Sequence, residues 1–177
     1  MITLITGPMR SGKTTIANGL MDVNWRFLKY EVEPNGKIDS LLKGFERMHT
    51  HYIDIRTILV SEAQFLSKDD LNKLILFSND HSGRHWVVEG LDHWHNQEQT
   101  DLLGLANRID FHIKTTGICK VCGKHQGRWS MKTNPDKRGE LINLDRNEYI
   151  APICTACYDA ACRGLLTGFE LECGGVI

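Results

Sequence analysis

Gly7-Pro8-Met9-Arg10-Ser11-Gly12-Lys13-Thr14 sets two glycines, a lysine and a hydroxyl residue at the spacing of a phosphate-binding loop. The glycines let backbone N–H groups curl around a polyphosphate, and a helix starting from the loop turns its positive end toward the anion. Lys13 is placed to reach the β- and γ-phosphates and the Thr14 hydroxyl to ligate Mg²⁺, so ATP or GTP is the expected ligand. Loops of this kind normally work with an Asp at the end of another apolar strand, which holds the Mg²⁺ through water. Here Thr57-Ile-Leu-Val runs into Ser61-Glu62-Ala63-Gln64-Phe65, and Ser61 occupies the expected Asp position. Glu62 follows at the strand end, where a carboxylate can take the proton of an attacking hydroxyl. Asp92, at a neighbouring strand end, is the acid that could compensate for Ser61.

A second chemistry is written in cysteine. Of the six cysteines, Cys119 and Cys122 form one C-x-x-C pair and Cys154 and Cys157 another. Two such knuckles complete a tetrahedral four-thiolate site with no position left for water, so a structural zinc ion is expected. Cys162 and Cys173 fit no pair and read as packing residues or free thiols. His93 and His95 alternate along one segment without a third ligand and read as pocket or surface histidines, as do His49 and His51.

The elements that must carry these residues follow from periodicity. Ile2–Thr6 is a buried-type strand ending in the glycine loop, and a helix over 14–23 opens from that loop. Strands are expected over 26–32, closed by Pro34-Asn35-Gly36, over Thr57–Val60, over Trp86–Leu91 and over 108–115. Ser67 caps a helix in which Leu71, Leu74 and Ile75 face inward, with Asp70 answering the cap. A further helix is expected over Gln97–Asn107, with Leu102, Leu103 and Ala106 inward. Alternating strands and helices of this kind predict an α/β fold, a P-loop NTPase-like parallel sheet. After Thr116 two Cys pairs flank a turn-rich segment between strand-like stretches. That predicts a small β-rich zinc lobe over 117–177, too small to fold on apolar burial alone and braced by its metal, beside a nucleotide-binding domain over 1–116.

The chain has 177 residues, enough for one domain with a small appendage, and 41% of them are hydrophobic. Twenty-one basic residues balance 22 acidic ones, giving a formal net charge of −1. Binding to nucleic acid through bulk positive charge is therefore not expected, although Lys120, Lys124, Arg128, Lys132, Lys137 and Arg138 do cluster in the lobe. No apolar run reaches the roughly 18 residues of a membrane helix. The N-terminus lacks the pattern of a signal peptide, and the paired thiols suit a reducing compartment, so a cytoplasmic location is expected.

These features in this order resemble the thymidine kinase family that joins a P-loop α/β domain to a zinc-bound lasso domain. The matches are residues 7–14, Ser61-Glu-Ala-Gln-Phe65 where the family typically has Asp-Glu-Ala-Gln-Phe, Gly90-Leu91-Asp92 and Cys119-Lys-Val-Cys122. A last match is Glu148-Tyr149-Ile-Ala-Pro-Ile-Cys154-Thr-Ala-Cys157-Tyr158. The sequence departs from the family after Asp92, where His93-Trp94-His95-Asn96-Gln97-Glu98-Gln99-Thr100 replaces an aromatic, an Arg and Glu-Pro-Phe.

The resemblance implies transfer of the ATP γ-phosphate to the 5′-hydroxyl of a deoxynucleoside, thymidine first among them, with Mg²⁺ and a structural zinc. Glu62 matches the family's general base. Met9, Phe65, Ser130 and Tyr149 match residues around the nucleoside, Ser130 falling near a Thr that faces the thymine methyl. The resemblance also implies a homotetramer. Two alternatives stay open: a kinase for another or modified pyrimidine deoxynucleoside, with Trp94, His95 and Ser130 deciding, and a non-catalytic nucleotide sensor derived from such a kinase.

Overall fold

A computed structural model describes residues 1–22, 27–34, 36–51, 55–132 and 149–166. They gather into two compact units. The first is made of Met1–Thr6, Lys13–Asp92 and Thr100–Lys114, and the second of Gly7–Gly12, His93–Gln99 and the chain from Thr115 onward.

The apolar runs of the first unit become five strands, β1 (Ile2–Thr6), β2 (Phe27–Glu31), β3 (Thr57–Ser61), β4 (His85–Gly90) and β5 (Phe111–Lys114). Their order is β2-β3-β4-β1-β5 and every pairing is parallel, as the α/β expectation requires. Parallel strands need helical crossovers, which cover both faces of the sheet and make the central strands apolar on both sides. The period-2 alternation then sorts each strand into two cores. Ile2, Leu4, Ile58, Val60, Trp86 and Val88 face one core, shared with the helices α2 (Ile38–His51) and α3 (Lys68–Asp80). Ile5, Leu59 and Val87 face the other, shared with Ala17 and Met21 of the helix α1 (Lys13–Asp22).

Helix α2 has no counterpart in the sequence reading. Its apolar stripe is Ile38, Leu41, Leu42 and Phe45, the i, i+3, i+4, i+7 spacing of one helical face. Phe45 anchors it, lying edge-on to Phe77 with ring centroids 5.4 Å apart and tilted against Trp86 at 5.8 Å. His49 and His51 lie at the end of this helix, with side chains outside the described residues. Helix α3 begins as expected: Ser67 Oγ accepts the Asp70 N–H at 3.2 Å and donates to its carboxylate at 2.8 Å, and Leu71, Leu74 and Ile75 are buried.

The helix expected over Gln97–Asn107 is corrected to a 3-10 turn over Asp101–Leu105, with Leu102 and Leu105 inward rather than Leu103 and Ala106. Residues 93–99 are drawn instead into a tight turn. His93 and Gln99 form an antiparallel bridge, Gln97 has a φ of 68°, and Asn96 Oδ1 takes the Glu98 N–H. Thr100 then bonds back to Leu91 and Asp92, so helical structure cannot begin before it.

The second unit pairs β6 (Gly117–Ile118) with β7 (Gln126–Gly127) and β8 (Trp129–Lys132) with β9 (Tyr149–Ile153), both antiparallel, and carries the helix α4 (Thr155–Cys162). This is the small β-rich region expected around the cysteines. Among the described residues its buried apolar cluster is Met131, Ile153, Tyr158, Ala161 and two of the cysteines themselves, with Val121, Trp129 and Leu166 packed against it. Among the described residues, no helix is long and apolar enough to cross a membrane.

The α3 cap is an isolated device, so its contribution can be measured directly. Ser67→Ala is expected to lower stability by about 1 kcal/mol in urea unfolding. An unchanged midpoint would show that the cap contributes nothing.

Candidate functional site

In the first unit, the carboxyl ends of β1, β3 and β4 come together where α1 begins, because a parallel sheet brings all its strand ends to one edge. Lys13 and Thr14 form the first turn of α1. Ser61 closes β3 and Glu62 follows it, while Glu89 stands one residue before the end of β4.

Glu89 is the centre of this edge. It is 2% exposed, and its Oε1 accepts hydrogen bonds from Ser61 Oγ at 3.0 Å and from Thr14 Oγ1 at 3.2 Å. Its Oε2 lies 3.3 Å from the same Thr14 hydroxyl. Burial raises the Glu89 carboxyl above the usual carboxylate range and neighbouring Glu62 adds to the rise; the Ser61 and Thr14 hydroxyls and the Lys13 ammonium oppose it. Burial also lowers the Lys13 ammonium, opposed by Glu89, Glu62 and Asp92. One lysine and three acids thus share a poorly solvated corner. The sequence reading had looked to Asp92 to compensate for Ser61, but the acid bonded to Thr14 and Ser61 is Glu89. A signal was available, since a lone glutamate interrupts an otherwise apolar strand (His85-Trp-Val-Val-Glu-Gly) that must be buried on both faces.

Glu62 is held in the left-handed region, with φ 56° and ψ 35°, at the junction between β3 and the 3-10 turn Ala63–Phe65. A non-glycine residue there costs of order 1–3 kcal/mol and persists only where its surroundings over-determine it. Gln64 supplies that constraint. Its Nε2 donates to Glu62 Oε2 at 2.6 Å, and its Oε1 accepts the Leu91 N–H at 3.1 Å, which ties Glu62 to the end of β4. The clamp needs a glycine at position 90, where a Cβ would stand 2.6 Å from Gln64 Oε1 and 2.7 Å from Leu102 Cδ2. Phe65, half-buried, packs against the larger core.

The glycine loop Gly7–Gly12 is organised within the second unit. Gly7 has a φ of 153°, and a Cβ there would lie 2.2 Å from Thr115 Oγ1 and 2.5 Å from its carbonyl oxygen. Ser11 Oγ donates to Pro8 O at 2.8 Å and shares a hydrogen bond with the Thr115 hydroxyl. Arg10 and Gly12 take positive φ values of 57° and 85°, which curl the loop. The Met9 N–H donates to Ser130 Oγ at 2.8 Å, so this buried hydroxyl of β8 is turned onto the loop backbone. Tyr149 opens β9, pairing with Lys132, and its side chain is outside the described residues.

In the same unit the four paired cysteines converge. The Sγ atoms of Cys119, Cys122, Cys154 and Cys157 all lie within 4.8 Å of one another, with Cys122 and Cys154 at 4.0 Å. A tetrahedron of Zn–S bonds of about 2.3 Å has sulfur–sulfur edges near 3.8 Å, so the donor set fits a four-coordinate ion. Backbone geometry prepares it: Gly123 N–H returns to Cys119 O at 2.9 Å to close the first knuckle, and Cys154 stands at the N-terminus of α4. Cys122 is lowered to about 5, chiefly by the Lys124 backbone N–H and then by the His125 ring and N–H. Cys157 is pushed up to about 12, first by burial and then by its sulfur neighbours. Four thiols this close cannot all ionise unless a cation sits among them. Among the described residues this is the only such cluster of metal-ligating groups, and neither His93 nor His95 belongs to it. The ring of His93 lies edge-on to Trp129 at 5.0 Å, and the His95 carbonyl accepts the Tyr158 hydroxyl at 3.0 Å. Cys162 is exposed and disulfide-bonded, which corrects its reading as a packing residue or free thiol; Cys173 lies outside the described residues. Lys132, placed in the basic cluster by sequence, is fully buried, and Lys137 and Arg138 lie outside the described residues.

Residues 29–158 match the family model described as thymidine kinase. A thymidine kinase of Choristoneura fumiferana entomopoxvirus is 25% identical over 186 residues, covering 89% of this chain and 96% of the viral protein. A thymidine kinase of Pseudothermotoga lettingae is 28% identical over 182 residues, covering 89% of this chain and 94% of its own.

The sulfur geometry carries an expectation of its own. Elemental analysis of gently purified protein is expected to find one tightly held metal ion per chain, lost in Cys154→Ser together with the folded second unit. Metal-free protein of unchanged structure would remove the assignment.

Proposed function

Because the chain belongs to the thymidine kinase family, we propose that it is a cytoplasmic enzyme that transfers the γ-phosphate of ATP to the 5′-hydroxyl of thymidine. The family makes it a phosphotransferase; the residues add how it would work. The observation that carries the reading is the corner where Lys13, Thr14 and the strained Glu62 meet at the ends of parallel strands. In phosphoryl transfer the protein mainly positions its reactants and stabilises charge, so fixed groups at one sheet edge are what the reaction requires.

In this reading, residues 7–14 wrap the triphosphate with their backbone N–H groups. Lys13, whose ammonium burial lowers while the three nearby acids oppose the change, neutralises the β- and γ-phosphates. Thr14 would hold Mg²⁺ through its hydroxyl oxygen, an oxygen donor of the kind this ion prefers. Bound there, Mg²⁺ would offset the charge of the phosphate oxygens. Glu62 accepts the 5′-hydroxyl proton as the new oxygen–phosphorus bond forms. The bond from the γ-phosphorus to the β,γ-bridging oxygen breaks, and ADP leaves. The Gln64 clamp fixes Glu62 for this step, so the strain at Glu62 serves position rather than packing.

Met9, Phe65, Ser130 and Tyr149 are the proposed nucleoside contacts. Ser130 also braces the Met9 backbone, whose N–H it accepts. The ion at the four cysteines is zinc in this reading, structural because sulfur fills every position. A homo-oligomer is proposed with it.

Phosphate transfer from ATP-Mg²⁺ to a panel of deoxynucleosides tests this. Thymidine is expected to be phosphorylated, and Glu62→Gln to lower kcat by about 10²-fold or more, within the range for a positioned base. A near-normal rate in Glu62→Gln would remove the general-base role. Transfer only to another pyrimidine deoxynucleoside would keep the mechanism and change the substrate. ATP binding without transfer to any nucleoside would make the protein a nucleotide sensor.

A further inference from the structure

A hydroxyl that ligates a cation through its oxygen must direct its proton elsewhere, and a carboxylate beside it is the natural acceptor. Such a carboxylate also accepts hydrogen bonds from the waters that Mg²⁺, which dehydrates reluctantly, keeps around itself. In phosphate-loop proteins this acid normally closes a second strand, and here that position on β3 holds Ser61. A serine carries no charge and cannot fill the role alone. The Thr14 hydroxyl nevertheless has a carboxylate partner. Its proton points to both oxygens of Glu89, at 3.2 and 3.3 Å, from β4, the next strand in the sheet. Ser61 is bonded to the same carboxylate at 3.0 Å.

We infer that Glu89 is this protein's metal-associated carboxylate, moved one strand over from β3 to β4, and that Ser61 is a positioning residue that orients it. This rests on the phosphate-loop reading of residues 7–14. The burial of Glu89 supports it: a carboxylate 2% exposed inside an apolar sheet is costly unless its partners give it a use. Among the described residues two neutral hydroxyls and one lysine are thin compensation for a charge in that setting, and a divalent cation held by Thr14 would complete it. The alternative, a purely structural glutamate cross-linking β3, β4 and α1 by hydrogen bonds, makes a different prediction. An amide of the same shape can accept both hydroxyl protons, and so preserves the cross-link while removing the charge.

The test is the affinity of the full-length protein for ATP, measured by calorimetry with Mg²⁺ and again with the metal chelated, in wild type and Glu89→Gln, with thermal melting as the folding control. The ratio of the two affinities reads the metal separately from turnover. Glu89→Gln is expected to keep its fold while the gain from Mg²⁺ falls by about 10- to 100-fold, the usual loss on removing an outer-shell partner of a metal. Ser61→Asp added to Glu89→Gln restores a carboxylate in the same hydrogen-bonded cluster and is expected to recover the Mg²⁺ gain. A full Mg²⁺ gain in Glu89→Gln, or a double variant no more responsive than the single one, would overturn the inference and leave the phosphate loop standing. Wild type that binds no ATP in either condition would overturn both readings.

Discussion

A carboxylate buried at the edge of a parallel sheet has to be answered by donors, and Glu89 organises the first unit in this way. Ser61 reaches it from β3 and Thr14 from α1. The three elements that meet there are those a phosphate-loop protein needs in fixed register. β4 stands between β3 and β1 in the sheet, so the acid on it bonds both to the end of its neighbour and to the helix that follows the loop. The charge also sets the electrostatics of the corner, where burial drives Lys13 and Glu89 toward their neutral forms and each opposes that change in the other. The result is a pair of charges whose full ionisation a polyphosphate and a divalent cation would favour.

Glu62 and Glu89 are both glutamates within one sheet edge, and their surroundings separate them. Glu89 is closed off and bonded by hydroxyls. Glu62 is half-buried on a strained backbone and held by an amide that also grips the end of β4. The strand end supplies access at Glu62, and the strand interior one residue before the end of β4 supplies burial at Glu89.

The second unit solves a different problem. Among the described residues its apolar cluster is small for two short strand pairs and a two-turn helix, and two of its buried members are cysteines. Four thiols gathered within 4.8 Å of one another, a set that could hold a metal ion, stand where a larger core would otherwise be needed. Backbone N–H groups of Cys122, Val121 and Cys154 meet the Cys119 thiol, those of Lys124 and His125 meet the Cys122 thiol, and Cys154 follows β9 directly and starts α4. The same unit carries the glycine loop, so the close approach of Gly7 to Thr115 and the bond from Met9 to Ser130 hold the loop to the frame that the cysteines build.

The sequence alone determined what depends on local rules and on residue type. The glycine loop, the paired cysteines, the strand runs, the Ser67 cap and the α/β class were all legible because each is carried by contiguous residues at fixed spacing. It also placed Glu62 correctly at a strand end. Helix α2 was readable in principle from Ile38, Leu41, Leu42 and Phe45, but a stripe of four residues is faint beside the charged positions around it. The helix expected over Gln97–Asn107 misled because its helical pattern competes with a turn, and the Thr100 bonds to Leu91 and Asp92 decided for the turn. Only the tertiary structure could show that Glu89, not Asp92, partners Thr14 and Ser61. Those residues are far apart along the chain, and strand order, which no local pattern records, is what makes them neighbours.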